Sequence, residues 1–144
     1  MFKELLEKKR YCFHQGFATW QEAVTAACQP LLAEGAITEE YIAAIIKNVT
    51  ELGPYIVIAP DLCIPHAQEG QGVNETAISF MRTAEPVNFG EGAEYEARIF
   101  FVLASVNNDA HMKNLQAMVE AVSDPDQFAI MLAATQASDL EQLP

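Results

Sequence analysis

Apolar side chains recur at intervals of three and four residues in two stretches near the start of the chain, which predicts two consecutive helices. The first begins after Thr19, which has the capping-box spacing to Glu22, and runs to Ala33. Thr38 is expected to cap the second helix, and Gly53-Pro54 to end it. The apolar positions are Trp20, Val24, Ala27 and Leu31, followed by Tyr41, Ile42, Ile45, Ile46 and Val49.

Two more helices are predicted near the end of the chain. Asp109 is expected to cap the third helix, because aspartate oxygens accept from the free amides of a first turn. Asp124-Pro125 then starts a fourth, since proline suits the first helical position. The apolar side of the third helix carries Met112, Leu115, Met118, Val119 and Val122.

Three apolar stretches between the two helix pairs predict buried strands, at residues 55–58, 76–82 and 98–103. The order helix, helix, three strands, helix, helix favours an α/β fold. We expect a three-layer sandwich, with a central mixed β-sheet flanked by helices on both faces and one domain spanning residues 1–144. The polar, glycine-bearing segments 68–74 and 85–97 are expected to be surface loops.

Charge and composition narrow the classes of function. The chain of 144 residues is 51% hydrophobic and has a formal net charge of −12, which would repel a phosphate backbone and so excludes nucleic-acid binding. The electrostatic field of the same negative charge favours a basic protein partner. No apolar run approaches the roughly 20 residues that span a bilayer, so we expect no membrane insertion and a cytoplasmic location. The three cysteines form no CxxC pair and are expected to be reduced thiols.

Two of the three histidines stand where chemistry is plausible. His66 follows Ile64-Pro65, and because proline stiffens the backbone, the imidazole is presented in a fixed direction at the end of an apolar stretch. His111 would lie in the first turn of the helix capped by Asp109, close to amides without intrahelical partners, where an anion is favoured. The dipole there would keep His111 neutral and able to donate to a phosphate oxygen. Together the two histidines predict a phosphoryl-transfer site.

Other interpretations of the same residues stay open at this point. A Pro-His or Asp-Ala-His segment is more often a turn whose histidine is simply hydrogen-bonded. Cys63, His66 and His111 could be metal ligands, but no further pair with zinc-finger spacing accompanies them. The chain has no phosphate-loop, dinucleotide or HExxH motif, so we expect no cofactor and no metal.

An ordered set of segments resembles a known family. The segments are 53–60 (Gly-Pro-Tyr-Ile-Val-Ile-Ala-Pro), 63–67 (Cys-Ile-Pro-His-Ala), 85–89 (Glu-Pro-Val-Asn-Phe), 99–103, and 107–111 (Asn-Asn-Asp-Ala-His). In this order they resemble the enzyme IIA family of the phosphoenolpyruvate sugar phosphotransferase system. Within it the chain is similar to the mannitol/fructose class, and most similar to its ascorbate branch. The likeness runs from Thr19 onward.

The resemblance implies a role for each histidine. His66 matches the histidine that accepts a phosphoryl group from the phosphocarrier protein HPr and passes it to a cysteine of an enzyme IIB, for uptake of a sugar such as ascorbate. His111 matches the second active-site histidine, which assists. The chain departs from the family at Asp61 and Cys63, where glycine and alanine are usual, and at Gln68, where the ascorbate branch often has arginine. These departures leave open a regulatory binding module of the same fold that feeds no transporter. Monomer and homodimer also both stay open.

Overall fold

The computed structural model describes residues 1–90 and 92–144, which form five helices, five strands and two short 3₁₀ turns. The helices are α1 (Phe2–Glu7), α2 (Trp20–Ala33), α3 (Glu39–Leu52), α4 (Asn108–Ser123) and α5 (Pro125–Ala133). The strands are β1 (Tyr11–His14), β2 (Val57–Ala59), β3 (Asp61–Cys63), β4 (Ala77–Asn88) and β5 (Glu96–Ala104). None of the helices in the described ranges is both long and apolar enough to cross a membrane.

The strands form one mixed sheet in the order β1-β4-β5-β3-β2. β4 and β5 pair antiparallel along most of their length, with Phe80 opposite Phe101. β1 joins β4 in parallel and β3 joins β5 in parallel, while the short β2 pairs antiparallel with β3. The predicted mixed sheet is therefore confirmed, and β5 lies at its centre.

Helices cover both faces of this sheet, because successive side chains of a strand point to opposite sides. Phe100 and Val102 of β5 belong to a buried cluster with residues of α2 and α3. Phe101 and Leu103 belong to a second cluster with residues of α1, α4 and α5. The two cores lie on opposite sides of one sheet, so the predicted three-layer α/β sandwich is correct.

Several predicted helix boundaries are also confirmed. The Thr19 hydroxyl accepts from the amide of Glu22 at 3.2 Å and starts α2. Asp124 accepts from two amides in the first turn of α5, as its place before a proline predicts. Thr38 stands at the start of α3, but its hydroxyl donates to the carbonyl of Gly72 instead of capping the helix.

The strands differ more from the predictions. The strand expected at 55–58 is Val57–Ala59, and a turn at Pro60 separates it from β3. β4 continues through residue 88 and β5 begins at Glu96, so the prediction of a loop over 85–97 is wrong at both of its ends; Glu91 lies outside the described residues. This end of β4 is held by pairing with β5, as in Val87 opposite Ala97, which its own polar pattern does not reveal.

The turn into β3 has an unusual backbone. Asp61 has a φ of 66°, in the left-handed region that costs most L-residues about 1–2 kcal/mol and that aspartate adopts more readily. Its carboxylate accepts from the Nε and Nη2 atoms of Arg98 on β5 at 3.1 and 3.0 Å. The same conformation favours glycine, the residue that the resemblance described above leads us to expect at this position.

Candidate active site

His66 lies just beyond the end of β3, on a backbone that is tied to its neighbours on two sides. The amide of Ile64 donates to the carbonyl of Ile56 at 2.8 Å. The amide of Leu103 in β5 donates to the carbonyl of Pro65 at 3.0 Å. Since Pro65 also fixes its own φ, the backbone that leads into His66 has little freedom.

The His66 ring is held in one tautomer by its own backbone. Nδ1 lies 2.6 Å from the carbonyl oxygen of Ile64. A carbonyl can only accept, so Nδ1 carries the proton and Nε2 keeps its lone pair. Burial lowers the pKa of His66, and the nearby His111 adds to that effect. The half-buried imidazole is therefore a neutral base and a ready nucleophile through Nε2.

His111 lies beside His66, with ring centroids 5.7 Å apart and an angle of 43° between the planes. The structure thus brings together the two histidines that the sequence singles out. The helix cap is different from the prediction, because α4 begins after Asn107 rather than Asp109. The Asn107 side chain accepts from the amide of Ala110 at 2.9 Å, and the His111 amide donates to the Asn107 carbonyl at 3.1 Å.

This correction leaves His111 at the end of the first turn of α4. The earlier amides of the helix, those of Asn108 and Asp109, precede any intrahelical acceptor. A 16-residue helix also has a positive dipole end here, which favours a phosphoryl anion. The predicted placement of His111 in the first turn of this helix therefore holds, although the predicted capping residue is wrong.

A shallow depression of about 270 Å³ connects the two histidines to solvent. The nearest carboxylate on its rim is that of Glu69, with Oε1 at 4.0 Å from Nε2 of His111. Its described lining contains no lysine or arginine, so the start of α4 and His111 are the groups placed to stabilise negative charge. The lining residues are Asn48, Leu52, Tyr55, His66, Ala67, Gln68, Glu69 and His111.

Apolar side chains stand exposed around this depression. Leu52, at the end of α3, is 75% exposed and belongs to the lining. Met112 follows His111 directly and is 55% exposed. Exposed apolar side chains beside a reactive group are typical of a surface that another protein covers.

Two tyrosines also contact the site, although the sequence pattern gives each of them another role. The hydroxyl of Tyr55, a residue assigned to a strand, donates to the carbonyl of His66. The hydroxyl of Tyr41, assigned to the apolar face of a helix, accepts from the amide of Ala67 at 3.1 Å. For Tyr55, the only local sign of a role at the site is its position directly after Gly53-Pro54. For Tyr41, the sequence contains no such sign.

The metal interpretation receives no support from the position of Cys63. Its side chain is fully buried in the core under α2 and α3, and burial raises the pKa of its thiol well above the usual value. Within residues 1–90 and 92–144, no three histidine, cysteine, aspartate or glutamate side chains are grouped so that they could hold a metal ion.

Comparison with known proteins gives consistent matches. The sequence model of the family described as phosphoenolpyruvate-dependent sugar phosphotransferase system, EIIA 2, matches residues 4–143. The ascorbate-specific PTS system EIIA component of Escherichia coli K12 is 30% identical over 125 residues, which are 86% of this chain and 81% of that protein.

Solved structures share the fold. The mannitol-specific cryptic phosphotransferase enzyme IIA CmtB of Escherichia coli has a TM-score of 0.85 and 25% identity, over 96% of this chain and 94% of that one. The enzyme IIA of the mannitol system of Escherichia coli, solved in complex with phosphorylated enzyme IIB, has a TM-score of 0.79 and 21% identity, over 92% and 91% of the two chains. At that identity the second likeness concerns the fold alone.

Proposed function

Because this chain belongs to the EIIA 2 family of the phosphoenolpyruvate-dependent sugar phosphotransferase system, we propose that it carries a phosphoryl group on His66. In this proposal residues 1–144 form one cytoplasmic phosphocarrier domain. The group comes from phospho-HPr and goes to a cysteine of an enzyme IIB, which makes the chain a protein-histidine phosphotransferase without a cofactor.

The observation that carries the proposal is the state of the His66 ring. Nδ1 is occupied by the carbonyl of Ile64, and burial keeps the ring neutral, so the Nε2 lone pair is free to attack phosphorus. As the new N–P bond forms, the bond from phosphorus to HPr breaks and its electron pair returns to HPr. A thiolate of enzyme IIB later attacks the same phosphorus, and the electron pair of the N–P bond returns to Nε2.

His111 and the start of α4 have the supporting role. Phosphoryl transfer needs alignment and stabilisation of charge on the phosphoryl oxygens rather than further covalent chemistry. The ring of His111 lies next to that of His66, and the first amides of α4 are close to it. We propose that His111 donates a hydrogen bond to a phosphoryl oxygen during the transfer.

The family and the surface of the protein support the proposed partners and cargo. The exposed Leu52 and Met112 give HPr and enzyme IIB an apolar area to cover beside His66. An enzyme IIB is the partner in the solved complex of the mannitol relative. The ascorbate-specific relative makes ascorbate the first cargo to test.

A regulatory module of the same fold is the alternative, and the three family departures bear on it. Asp61 forms an ion pair with Arg98, and Cys63 lies in the core, so neither lines the depression. Gln68 does line it and brings no charge. The ascorbate branch often has an arginine at the position of Gln68. The absence of its positive charge from the described lining favours a module which accepts a phosphoryl group but does not pass it on.

The first experiment tests acceptance. The protein is incubated with labelled phosphoenolpyruvate, enzyme I and HPr, and acid-labile label on it is measured over time. We expect label on the wild type and on His14→Ala, whose histidine is exposed at the end of β1, and none on His66→Ala. His111→Ala, which removes the proposed donor, should take label on His66 about a hundredfold more slowly, as for loss of one donor to a developing charge. Undiminished label on His66→Ala would rule the proposal out.

Onward transfer separates the two functions. The labelled protein is mixed with an ascorbate-type and a mannitol-type enzyme IIB, and loss of label to each is followed. Transfer to a cysteine of either supports the transport role and indicates the cargo. Stable label in the presence of both, with a normal rate of acceptance, supports the regulatory alternative.

A further inference from the structure

The peptide group that joins His66 to Ala67 is hydrogen-bonded at both of its polar atoms by tyrosine hydroxyls. Tyr55 donates to its carbonyl oxygen, and Tyr41 accepts from its N–H at 3.1 Å. The two tyrosines come from different parts of the chain, one from α3 and one from the segment before β2. They hold the plane of this peptide from two sides.

Tyr41 connects the peptide to the centre of the sheet. It is 1% exposed, and its hydroxyl donates to the carbonyl of Leu103 in β5 at 2.6 Å while it accepts from Ala67. Burial raises the pKa of Tyr41, so the hydroxyl keeps the proton that this donation needs. Leu103 also donates to the carbonyl of Pro65, so the same β5 residue holds the chain on both sides of His66.

The loop after His66, which contains Gly72, packs against the start of α3 and so restrains Tyr41. Gly72 has a φ of 75°, and a Cβ atom there would lie 2.8 Å from the backbone nitrogen of Tyr41. The amide of Thr38, at the start of α3, donates to the carbonyl of Gly72 at 2.9 Å. This close approach presses the first turn of α3 against the loop that follows His66.

Tyr55 acts at the rim of the depression. It is only half-buried, and its ring meets the imidazole of His66 edge-on, with centroids 5.2 Å apart and an interplanar angle of 83°. Burial raises the pKa of Tyr55 as well, so its hydroxyl remains a donor to the His66 carbonyl at neutral pH. The side chain therefore restrains both the backbone and the ring of His66.

The aim of Nε2 depends on this restraint. The Nδ1–H group bonds to the carbonyl of Ile64, two residues earlier, so the bond survives only while the backbone from Ile64 through His66 keeps its shape. If the peptide after His66 were released, the chain could shift there and carry the Cα atom and the side chain of His66 with it, which would free Nδ1 from the Ile64 carbonyl and allow the other tautomer. A misaimed or wrongly protonated Nε2 cannot attack in line.

On the basis of the proposed phosphocarrier function, we propose that Tyr41 and Tyr55 are positioning residues, which clamp the 66–67 peptide so that His66 keeps one tautomer and one direction. Neither hydroxyl touches the phosphoryl group in this scheme. Their contribution is to hold the acceptor ready before HPr arrives.

The test uses Tyr55→Phe, which keeps the ring and removes only the hydroxyl of a half-buried side chain. The full chain is labelled with ¹⁵N in its histidine rings, and the ring nitrogens of His66 are observed by NMR without any phosphoryl donor. We expect the wild type to show the Nδ1–H tautomer alone, and Tyr55→Phe to show a mixture or exchange broadening. The matched control is Tyr11→Phe on β1, at the opposite edge of the sheet, which should match the wild type.

Kinetics provide the second readout. Tyr55→Phe should lower the kcat of phosphoryl acceptance about threefold to tenfold, the equivalent of one ordinary hydrogen bond, and leave the KM for phospho-HPr unchanged. Tyr41→Phe should lower the unfolding temperature, because it leaves two buried backbone groups without a partner. Tyr55→Phe decides the proposal if that second variant does not fold.

The outcomes separate this proposal from the function on which it rests. A single Nδ1–H tautomer and a wild-type rate in Tyr55→Phe would overturn the clamp while the phosphocarrier function stands. A wild type that takes no phosphoryl group would overturn the function, and the NMR spectra would still decide whether the hydroxyl sets the tautomer of His66.

Discussion

At the scale of single residues, the protonation of His66 decides whether the site can work at neutral pH. A histidine must be neutral to accept a phosphoryl group, and burial favours the neutral form of the His66 ring by lowering its pKa. Because the folded pKa lies below the unfolded value of about 6.5, the unfolded chain binds this proton more readily than the folded one. The contribution of His66 to stability is therefore complete above that value and declines as the pH falls below it.

This gives a prediction for the pH dependence. An NMR titration of the His66 ring should have its midpoint below 6.5, and the rate of phosphoryl acceptance should hold as the pH falls to about 6.5 and decline only below it. The titration of the urea-unfolded chain provides the reference. A midpoint in the folded protein at or above that of the unfolded chain would contradict the assigned environment.

The sequence predicts the two histidines of the site but not the residues that hold them. His66 and His111 are recognisable because each has a local signal, a preceding proline in one case and a helix start in the other. Tyr41 and Tyr55 act on the backbone 26 and 11 residues away. Contacts of that range depend on how α3 packs against β5, so no local pattern contains them.

At the scale of elements, the start of α4 is where secondary structure and chemistry meet. The Asn107 side chain satisfies one first-turn amide and so defines where His111 stands. Loss of such a cap costs about 1 kcal/mol and frays the first turn. The α5 helix has a cap of the same kind at Asp124, which lies at the opposite end of α4 from His111.

This pair of caps allows a matched prediction. Asn107→Ala and Asp124→Ala should each lower the free energy of unfolding by about 1 kcal/mol, measured by urea denaturation. Only Asn107→Ala should also slow phosphoryl acceptance, because only it disturbs the turn that bears His111. Equal rates in the two variants would show that the start of α4 does not contribute to transfer.

Helices and strands are predicted correctly where burial gives the apolar residues a regular spacing in the sequence. They are missed where an element forms only because it pairs with a distant strand. α2 and α5 begin at side-chain caps that the sequence displays, and α2 and α3 carry apolar faces that it also displays. α1 and β1 lie in the first 14 residues, where charged side chains interrupt the apolar pattern, and β1 exists because it pairs with β4. Asn107 and Asp109 are both good caps by residue type, and in the structure α4 begins after Asn107.

At the scale of the whole molecule, basic residues among the first ten of the chain form ion pairs with carboxylates of the same protein. Arg10 is 3% exposed, and its guanidinium contacts the carboxylates of Glu34 and Glu75 at 2.6 and 3.3 Å. Lys8 lies near Glu75 as well. Arg10 and Lys8 are thus paired with carboxylates of the same protein, and the net charge of −12 gives a negative field that favours a basic partner.

The docking surface for such a partner should be marked by the exposed apolar side chains nearest the histidines. Leu52→Ser and Met112→Ser remove apolar area that is exposed in the free protein, at 75% and 55%, so neither should lower the unfolding temperature measurably. Each should raise the KM for phospho-HPr about fivefold to tenfold, as expected for a side chain that becomes buried in the complex, and leave kcat unchanged.

Val119→Ser is the matched control, because Val119 is 48% exposed on the same helix as Met112, seven residues further from its start. If the partner covers the end of the molecule that bears His66, this third variant should keep the wild-type KM. An equal rise in KM for all three variants would mean that the apolar surface as a whole, and not the area around the depression, determines docking. A rise in KM confined to Leu52→Ser and Met112→Ser would place the partner directly over Nε2 of His66, the atom that we propose as the phosphoryl acceptor.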